Sequence, residues 1–167
     1  MTLQENTILT HKEIKHKIKR IAFQIYENNV NEKEIILAGI ESNGYVLAKQ
    51  LKSVLTKISK INPILCKVII DKKNPRNEIT TSIPAEEYKN KSVILIDDVL
   101  NSGTTLIYGV KHFLEVPLKQ FNTAVLVNRN HKKYPVKADF KGISLSTSLH
   151  DHVDVILTGS DYKATLK

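Results

Sequence analysis

The chain has 167 residues, 41% of them hydrophobic and 25% charged, which is the ordinary balance of one soluble domain with its own core. It contains no apolar run long enough to span a membrane. Its first fifteen residues lack the apolar centre of a signal peptide. Its single cysteine, Cys66, favours a reduced, cytoplasmic setting. The net charge of +8 favours polyanionic partners such as nucleic acid or a substrate with several phosphates, although a solvated lysine-rich surface would give the same total.

The first third of the chain predicts two helices separated by a short buried strand. Thr10 and Glu13 form the pattern of a capping box, and apolar residues at helical spacing continue that helix to about Asn28. The apolar run Glu34–Ile40 predicts a strand that is covered on both faces. After a tight turn, the segment 47–58 repeats leucine, valine and isoleucine at helical spacing and predicts the second helix.

The rest of the chain continues the alternation. Further strands are predicted at Ile64–Asp71, Ser92–Asp97 and Phe121–Val127, with a helix over 106–114 and one more apolar run at Val153–Leu157. The polar stretch before the second of these strands predicts a loop, with room for a short hairpin. Strands that alternate with helices indicate a single α/β domain over residues 1–167, built on a parallel sheet of four or five strands.

The segment VILIDDVLNSGTT, residues 93–105, carries the clearest chemistry. Asp97 and Asp98 end an apolar strand, and Gly103 stands just before the next helix, where backbone amides point at one spot and bind phosphate well. Ser102 and the two threonines behind it add hydroxyl donors. Since carboxylates repel a phosphate, Asp97 and Asp98 are expected to face sugar hydroxyls or Mg²⁺. Ribose 5-phosphate has this layout, whereas the bland alternative is Asp and Ser side chains that merely cap a helix.

This segment resembles the phosphoribosyl pyrophosphate (PRPP) motif of the type I phosphoribosyltransferases. The resemblance implies a Rossmann-like parallel sheet flanked by helices with a small hood. It also implies Mg²⁺ as cofactor, and transfer of ribose 5-phosphate from PRPP to a nucleobase with release of pyrophosphate. Asp97, Asp98 and Asn101 would be the catalytic residues, with Asp97 and Asp98 also near the metal. The residues that would bind the 5-phosphate are Asn101, Ser102, Gly103, Thr104 and Thr105.

Two further loops have counterparts in this family. The first strand is followed by a segment that resembles the pyrophosphate loop, formed by Glu41, Ser42, Asn43 and Gly44. The family often carries Arg or Lys where this chain has Asn43, so the loop lacks a charge; a plain turn is the alternative. The segment 71–78 stands where the family has a flexible lid, and its basic residues would shield the leaving group. Those residues are Lys72, Lys73 and Arg76, for which a solvated basic turn is the alternative.

Within the family, the chain is most similar to the bacterial bifunctional pyrimidine operon regulators and uracil phosphoribosyltransferases, over roughly residues 8–148. This resemblance implies uracil as the base and a homodimer or higher homo-oligomer. A hypoxanthine-type enzyme is the second alternative, because VKADFKG resembles its base-binding run and would assign the base to Lys137, Phe140 and Ile143. The segment Val155–Tyr162 resembles the terminal segment of the hypoxanthine-type enzymes, and this resemblance would place Asp161 near the metal. A neutral Asn101 favours the pyrimidine branch, since purine enzymes usually have an acidic residue there.

The pyrimidine regulators bind messenger RNA through a basic surface, and this chain has candidates for one. Such a surface would bind the phosphate backbone with a strong dependence on salt. A non-catalytic RNA-binding regulator that senses PRPP or nucleotides is therefore the opposed functional class, and a solvated helix face is the bland alternative. The basic residues are Lys12, Lys15, Lys17, Lys19 and Arg20 on the first helix, and Arg129, His131, Lys132 and Lys133 in one loop.

Overall fold

Strands and helices alternate through the computed structural model, which describes residues 6–167. The first fifteen residues predict no signal peptide, and the first five of them lie outside the described residues. In chain order the elements are β1 (Asn6–Leu9), α1 (His11–Asn28), β2 (Glu34–Ile40), α2 (Asn43–Ile58), β3 (Asn62–Ile69), β4 (Thr80–Thr81), α3 (Ala85–Tyr88), β5 (Ser92–Leu100), α4 (Thr104–Phe113), β6 (Gln120–Arg129), β7 (Phe140–Leu145), β8 (Val153–Ile156) and β9 (Lys163–Leu166).

The main sheet has the strand order β4-β3-β2-β5-β6-β7. Its neighbours from β3 to β7 pair in parallel, and the two-residue β4 adds an antiparallel edge. The prediction of a parallel sheet of four or five strands is confirmed. The fifth parallel strand is β7, which the sequence did not predict, whereas the apolar run at Val153–Leu157 contributes to a different sheet.

Helices cover both faces of the main sheet and create two cores. On one face, α1 and α2 pack over the sheet, and the predicted capping box starts α1: Thr10 Oγ1 accepts a hydrogen bond from the Glu13 amide at 3.3 Å. On the other face, α4 packs with Phe113 against Tyr88 and Phe121. Because β2 and β5 lie between the two cores, their apolar residues are buried on both sides.

A small second sheet forms the hood, as the resemblance implied. β1 and β8 flank β9 in antiparallel pairing, so the two ends of the described chain meet in one sheet. Leu9, Val155 and Ala164 of this hood belong to the same core as α1 and α2. None of the helices within residues 6–167 has the length and hydropathy that a membrane crossing requires.

Candidate active site

Two aspartates lie near the carboxyl end of β5, where Val99 and Leu100 complete the strand. Asp97 is 5% exposed, and its Oδ1 accepts a hydrogen bond from the Asp98 amide at 2.9 Å. Burial raises the pKa of the Asp97 carboxyl well above its usual value, and the neighbouring charge of Asp98 raises it further. Lys72, with its Nζ 4.0 Å from Asp97 Oδ1, only partly opposes this shift. This end of the strand therefore concentrates negative charge that a cation or hydroxyl donors would relieve.

The predicted 5-phosphate loop lies immediately beyond these aspartates. Gly103 adopts φ +87°, and a Cβ at this position would come within 2.6 Å of Val136, so glycine is required here. The first hydrogen bond of α4 runs from the Ile107 amide to Gly103 O at 2.9 Å, which leaves the preceding amides without an acceptor inside the helix. The loop, with Asp97, Asp98 and Lys72, lines a cavity of about 160 Å³. This cavity combines backbone amides and hydroxyls with two carboxyl groups.

The predicted pyrophosphate loop adjoins the same carboxylates. Gly44 lets the start of α2 approach β5, since a Cβ there would lie 2.6 Å from Ile96 O. Asn43 donates through Nδ2 to Asp98 Oδ2 at 3.0 Å and to Val155 O in the hood at 2.9 Å. Asn43 therefore connects the Asp98 carboxylate to the hood. Glu41 and Ser42 are exposed beside it.

The predicted lid brings one of its three basic residues to the cavity. Lys72 lines the cavity beside Asp97, whereas Arg76 lines a separate cavity against α4. Asp71 shapes the segment, because its Oδ1 accepts the amides of Lys73 at 3.0 Å and Asn74 at 3.1 Å. These hydrogen bonds lower the pKa of Asp71. The segment is thus a loop anchored at its first residue.

The residues proposed for the base do not gather at this cavity. The Lys137 side chain is 81% exposed, with Nζ 3.7 Å from an Asp139 oxygen, and its carbonyl accepts from the Thr123 hydroxyl near the start of β6. Lys137 does not line the cavity, although the residue before it, Val136, lies against Gly103. Phe140 is buried in the core beneath α1 and α2. Ile143 lies nearer the site, half-buried beside Val127.

Asp161 is exposed in the connection between β8 and β9 of the hood. Along residues 6–167, no three or more His, Cys, Asp or Glu side chains cluster as a metal site. Asp97 and Asp98 nevertheless suit Mg²⁺, which commonly takes one or two protein carboxylates together with substrate oxygens and water. The Asp97 carboxyl is buried beside that of Asp98, and Lys72 Nζ lies 4.0 Å from it, so a bound cation would stabilise the charged carboxylates and the donor set fits this ion.

Arg129, at the end of β6, is a residue of this site that the sequence did not reveal. It is 6% exposed, and its Nη1 donates to Asn101 Oδ1 at 2.9 Å. It also donates to Thr147 Oγ1 and, at 2.8 Å, to Asp151 O. Its assignment to a basic RNA-binding surface is therefore wrong, because the guanidinium is occupied inside the protein. The only sequence signal was its position after an apolar strand.

Arg20 also differs from the predicted basic surface. Its Nη2 donates to the carbonyls of Lys141 and Gly142 at 2.7 and 2.6 Å, so this guanidinium ties α1 to β7. His131 bonds through Nε2 to Thr147 O in the same way. The exposed basic residues that remain are mainly lysines of α1, together with Lys132 and Lys133.

Comparison with known proteins identifies relatives along nearly the whole chain. The family described as phosphoribosyl transferase domain matches residues 4–163. "Bifunctional protein PyrR" of Macrococcus caseolyticus is 31% identical, covering 96% of this chain and 97% of the relative, and the protein of the same name from Fusobacterium nucleatum is 31% identical over 98% and 97%.

Solved structures share the fold. A hypoxanthine-guanine phosphoribosyltransferase from Bacillus anthracis superimposes with a TM-score of 0.72 at 18% identity, covering 87% of this chain and 85% of its own. The hypoxanthine phosphoribosyltransferase of Trypanosoma cruzi gives 0.74 at 16% identity, covering 84% and 81%. At these identities the similarity establishes the architecture and leaves the base open.

Proposed function

The chain belongs to the phosphoribosyl transferase domain family, so its reaction is the transfer of ribose 5-phosphate from PRPP to a nucleobase, and we propose that this base is uracil. A ring nitrogen of the base forms the new bond to ribose C1, and the bond from C1 to pyrophosphate breaks. One observation carries the assignment: a single cavity is lined by the loop that opens α4, with its backbone amides and hydroxyls, and by the carboxylates of Asp97 and Asp98.

Each part of the cavity has a role in this reaction. The amides from Ser102 to Thr105 and the adjacent hydroxyls bind the 5-phosphate, helped by the positive end of α4. Asp97 and Asp98 accept hydrogen bonds from the ribose hydroxyls, and their negative charge favours the positive charge that develops on the ribose. Lys72 lies beside them and would stabilise the departing pyrophosphate. Mg²⁺ supplies further charge neutralisation for the pyrophosphate when it is bound.

Uracil is supported by two independent observations. The relatives of about 30% identity carry the name "Bifunctional protein PyrR", and the sequence resembles the pyrimidine operon regulators with uracil phosphoribosyltransferase activity. Asn101 is also neutral, so the loop lacks the carboxylate that purine enzymes usually place near the base. The base-binding residues Lys137, Phe140 and Ile143 stay a proposal from the resemblance alone, as does Asp161 as a metal contact.

A base panel tests the proposal. The protein is incubated with PRPP, Mg²⁺ and, in turn, uracil, cytosine, hypoxanthine, guanine and adenine, while released pyrophosphate is measured. We expect turnover with uracil and loss of turnover in the Asp98→Asn variant. Turnover with hypoxanthine in place of uracil would overturn the base assignment. Silence with every base, alongside PRPP binding measured by calorimetry, would support the non-catalytic regulator.

RNA is a second proposed partner, favoured by exposed lysines on α1. Lys12, Lys15 and Lys19 form no ion pair within residues 6–167, and each is exposed. A titration of labelled pyrimidine-operon leader RNA at 50 and 200 mM salt tests this partner. We expect affinity to fall steeply with salt, because released counterions drive such binding. Absence of binding at 50 mM salt would remove RNA from the proposal.

Assembly and compartment follow from the resemblance and the cysteine content. We propose a homodimer or higher homo-oligomer in the cytoplasm. Sedimentation equilibrium of the purified protein tests the assembly: a single species of 18.9 kDa would contradict it.

A further inference from the structure

We propose that Arg129 is a positioning residue that fixes which end of the Asn101 amide faces the ligand. Asn101 then presents hydrogen-bond donors to the cavity, and the ligand group beside it must be an acceptor. The inference rests on the proposed function, because it takes the ligand to be a ribose 5-phosphate compound with or without its base.

The chemistry of arginine sets the orientation of Asn101. A guanidinium has only donors, so the Asn101 atom that it contacts at 2.9 Å must be the amide oxygen. The amide nitrogen, with its two N–H groups, is then the other end of an exposed side chain that lines the cavity. An asparagine without such a neighbour could turn either end to the ligand.

Arg129 itself has little freedom to move. Its Nε and Nη2 both donate to Thr147 Oγ1, at 3.0 and 2.9 Å, and Nη2 also donates to the carbonyls of Ser148 and Asp151. The oxygens that hold the guanidinium are thus a hydroxyl, an amide oxygen and main-chain carbonyls. The buried guanidinium lies beside the 5-phosphate loop, and its positive charge favours an anionic or carbonyl oxygen there.

The arrangement selects the ligand by hydrogen-bond polarity. A phosphate oxygen or a carbonyl oxygen of a pyrimidine can accept from Asn101 Nδ2. A protonated ring nitrogen would meet another donor at this point and be disfavoured, because unpaired polar groups are costly in a closed site. Asn101 is therefore a specificity-determining residue, and Arg129 acts through it.

Calorimetry with two ligands tests the donor role. Ribose 5-phosphate carries the phosphate without a base, and uridine monophosphate carries both. Asn101→Leu removes the donor without adding charge and should weaken binding about tenfold, the effect of one lost hydrogen bond to a charged acceptor. Asn101→Asp keeps a partner for Arg129 but replaces the donor by a negative oxygen, and it should bind more weakly still.

Asn122→Leu provides the matched control. Asn122 lies near the start of β6, where its Nδ2 donates to Asp139, so the same chemical change there should leave ligand affinity as in the wild type. If Asn101→Leu weakens both ligands, the acceptor is the phosphate; if it weakens uridine monophosphate alone, the acceptor is a carbonyl of the base. Both results support the donor role, and wild-type affinity for both ligands would overturn it.

A double-mutant cycle tests the action of Arg129 through Asn101. Arg129→Met should weaken ligand binding in the wild-type background and have no further effect when combined with Asn101→Leu. Arg129→Lys keeps a donor and should restore part of the affinity; it also serves if the methionine variant fails to fold. Equal weakening by Arg129→Met in both backgrounds would overturn the positioning role. A wild-type protein that binds neither ligand would overturn the proposed function and this assignment together.

Discussion

At the scale of one residue, Asp97 is a group that lowers the stability of the empty protein and that a bound ligand would stabilise. Its carboxyl is buried beside a second carboxyl, and Lys72 lies at the outer limit of an ion pair. A charge in that position is costly to the empty protein, and a ligand with hydroxyl donors or a cation offsets the cost. A carboxyl group that is unfavourable in the empty protein is thus one that a bound ligand or cation can stabilise.

Replacing Asp97 with Asn should stabilise the empty protein and weaken its binding of ribose 5-phosphate. Asn keeps an oxygen for the Asp98 amide and removes the buried charge, so we expect a gain of ~1 kcal/mol, or about 2–4 °C in Tm. Thermal melting without metal or ligand measures the stability, and calorimetry measures the binding. Asp154→Asn, at an exposed surface ion pair with Lys167, is the control and should change Tm little.

The direction of the Asp97 pKa shift also fixes the pH dependence of this gain. Since the folded-state pKa is raised, the folded protein holds the proton longer than the unfolded chain, and its stability falls as pH rises from the ordinary value, 3.8, through the raised one. The Asn variant lacks this loss. The Tm difference between the two proteins should therefore vanish at acid pH and reach its full size above the raised pKa. A difference that is independent of pH would contradict this account.

Cys66 should be inert in the native protein. It is fully buried in the core beside β2, and burial raises the pKa of its thiol to about 11, so little thiolate exists at neutral pH. We expect no reaction with a thiol-specific disulfide reagent at pH 8 in the folded state and one equivalent in denaturant. Rapid labelling of the native protein would show that β3 opens easily.

Sequence reasoning could place Asp97, Asp98 and Gly103 beside one another, and the structure brings them to one cavity. Asp97, Asp98 and Gly103 follow one another along the chain, so their order alone indicates a sugar and a phosphate. It did not find the contacts of Asn43 with Val155 or of Arg129 with Asn101, because each joins parts of the chain that only the folded sheet brings together. Nothing in the spacing of these residues encodes such a contact.

At the scale of elements, periodicity predicted the segments with one strong pattern. α1 and β2 have the bounds that their patterns predicted, whereas α2 begins four residues before the predicted start at 47 and β5 continues three residues beyond Asp97. The missed strands β1, β7 and β9 are short and mixed in polarity. β1 pairs only with β9, at the far end of the chain, so its stability comes from a partner that no local pattern shows.

Thr10→Ala should destabilise the protein by ~1 kcal/mol, or about 2–4 °C in Tm, because it removes the hydroxyl that accepts from the Glu13 amide at the start of α1, while the backbone N–H of residue 10 can still donate to Glu13. Thermal melting measures the change. Thr56→Ala is the matched control on α2: its hydroxyl bonds only to Lys52 O one turn back, and the helix loses nothing without it. Equal losses in the two variants would show that the cap contributes no more than any helix threonine.

Asp71→Ala should loosen the lid while leaving the fold intact. The carboxylate accepts two amides and Asn77 Nδ2 at the base of the segment, and it is exposed, so the core does not depend on it. We expect a several-fold higher KM for PRPP with Tm changed by less than about 1 °C. Steady-state kinetics with uracil measures this. An unchanged KM would show that the 71–78 loop takes no part in binding.

At the scale of the whole molecule, the hood is tied both to the core and to the site. Its apolar residues pack beneath α1 and α2, and two side chains from α2 donate to its backbone: Asn43 to Val155 O, and Gln50 to Leu157 O at 2.9 Å. Only Asn43 also holds Asp98. The Asp98 carboxylate and the hood thus share one asparagine, so we expect the proposed ligand binding and the order of the hood to be coupled.

The variants Asn43→Ala and Gln50→Ala distinguish this coupling from a general loss of order in the hood. Both remove one hydrogen bond to the hood, so both should speed hydrogen exchange in β8. Only Asn43→Ala also frees Asp98, so only this variant should lose affinity for ribose 5-phosphate, by about fivefold, and lose the ligand-dependent protection of β8. Exchange measured by mass spectrometry with and without ligand, together with calorimetry, decides the matter. Gln50 is not among the residues that line the cavity. An equal loss of affinity in both variants would therefore mean that any disturbance of the hood weakens binding, and that the hydrogen bond from Asn43 to Asp98 has no specific role.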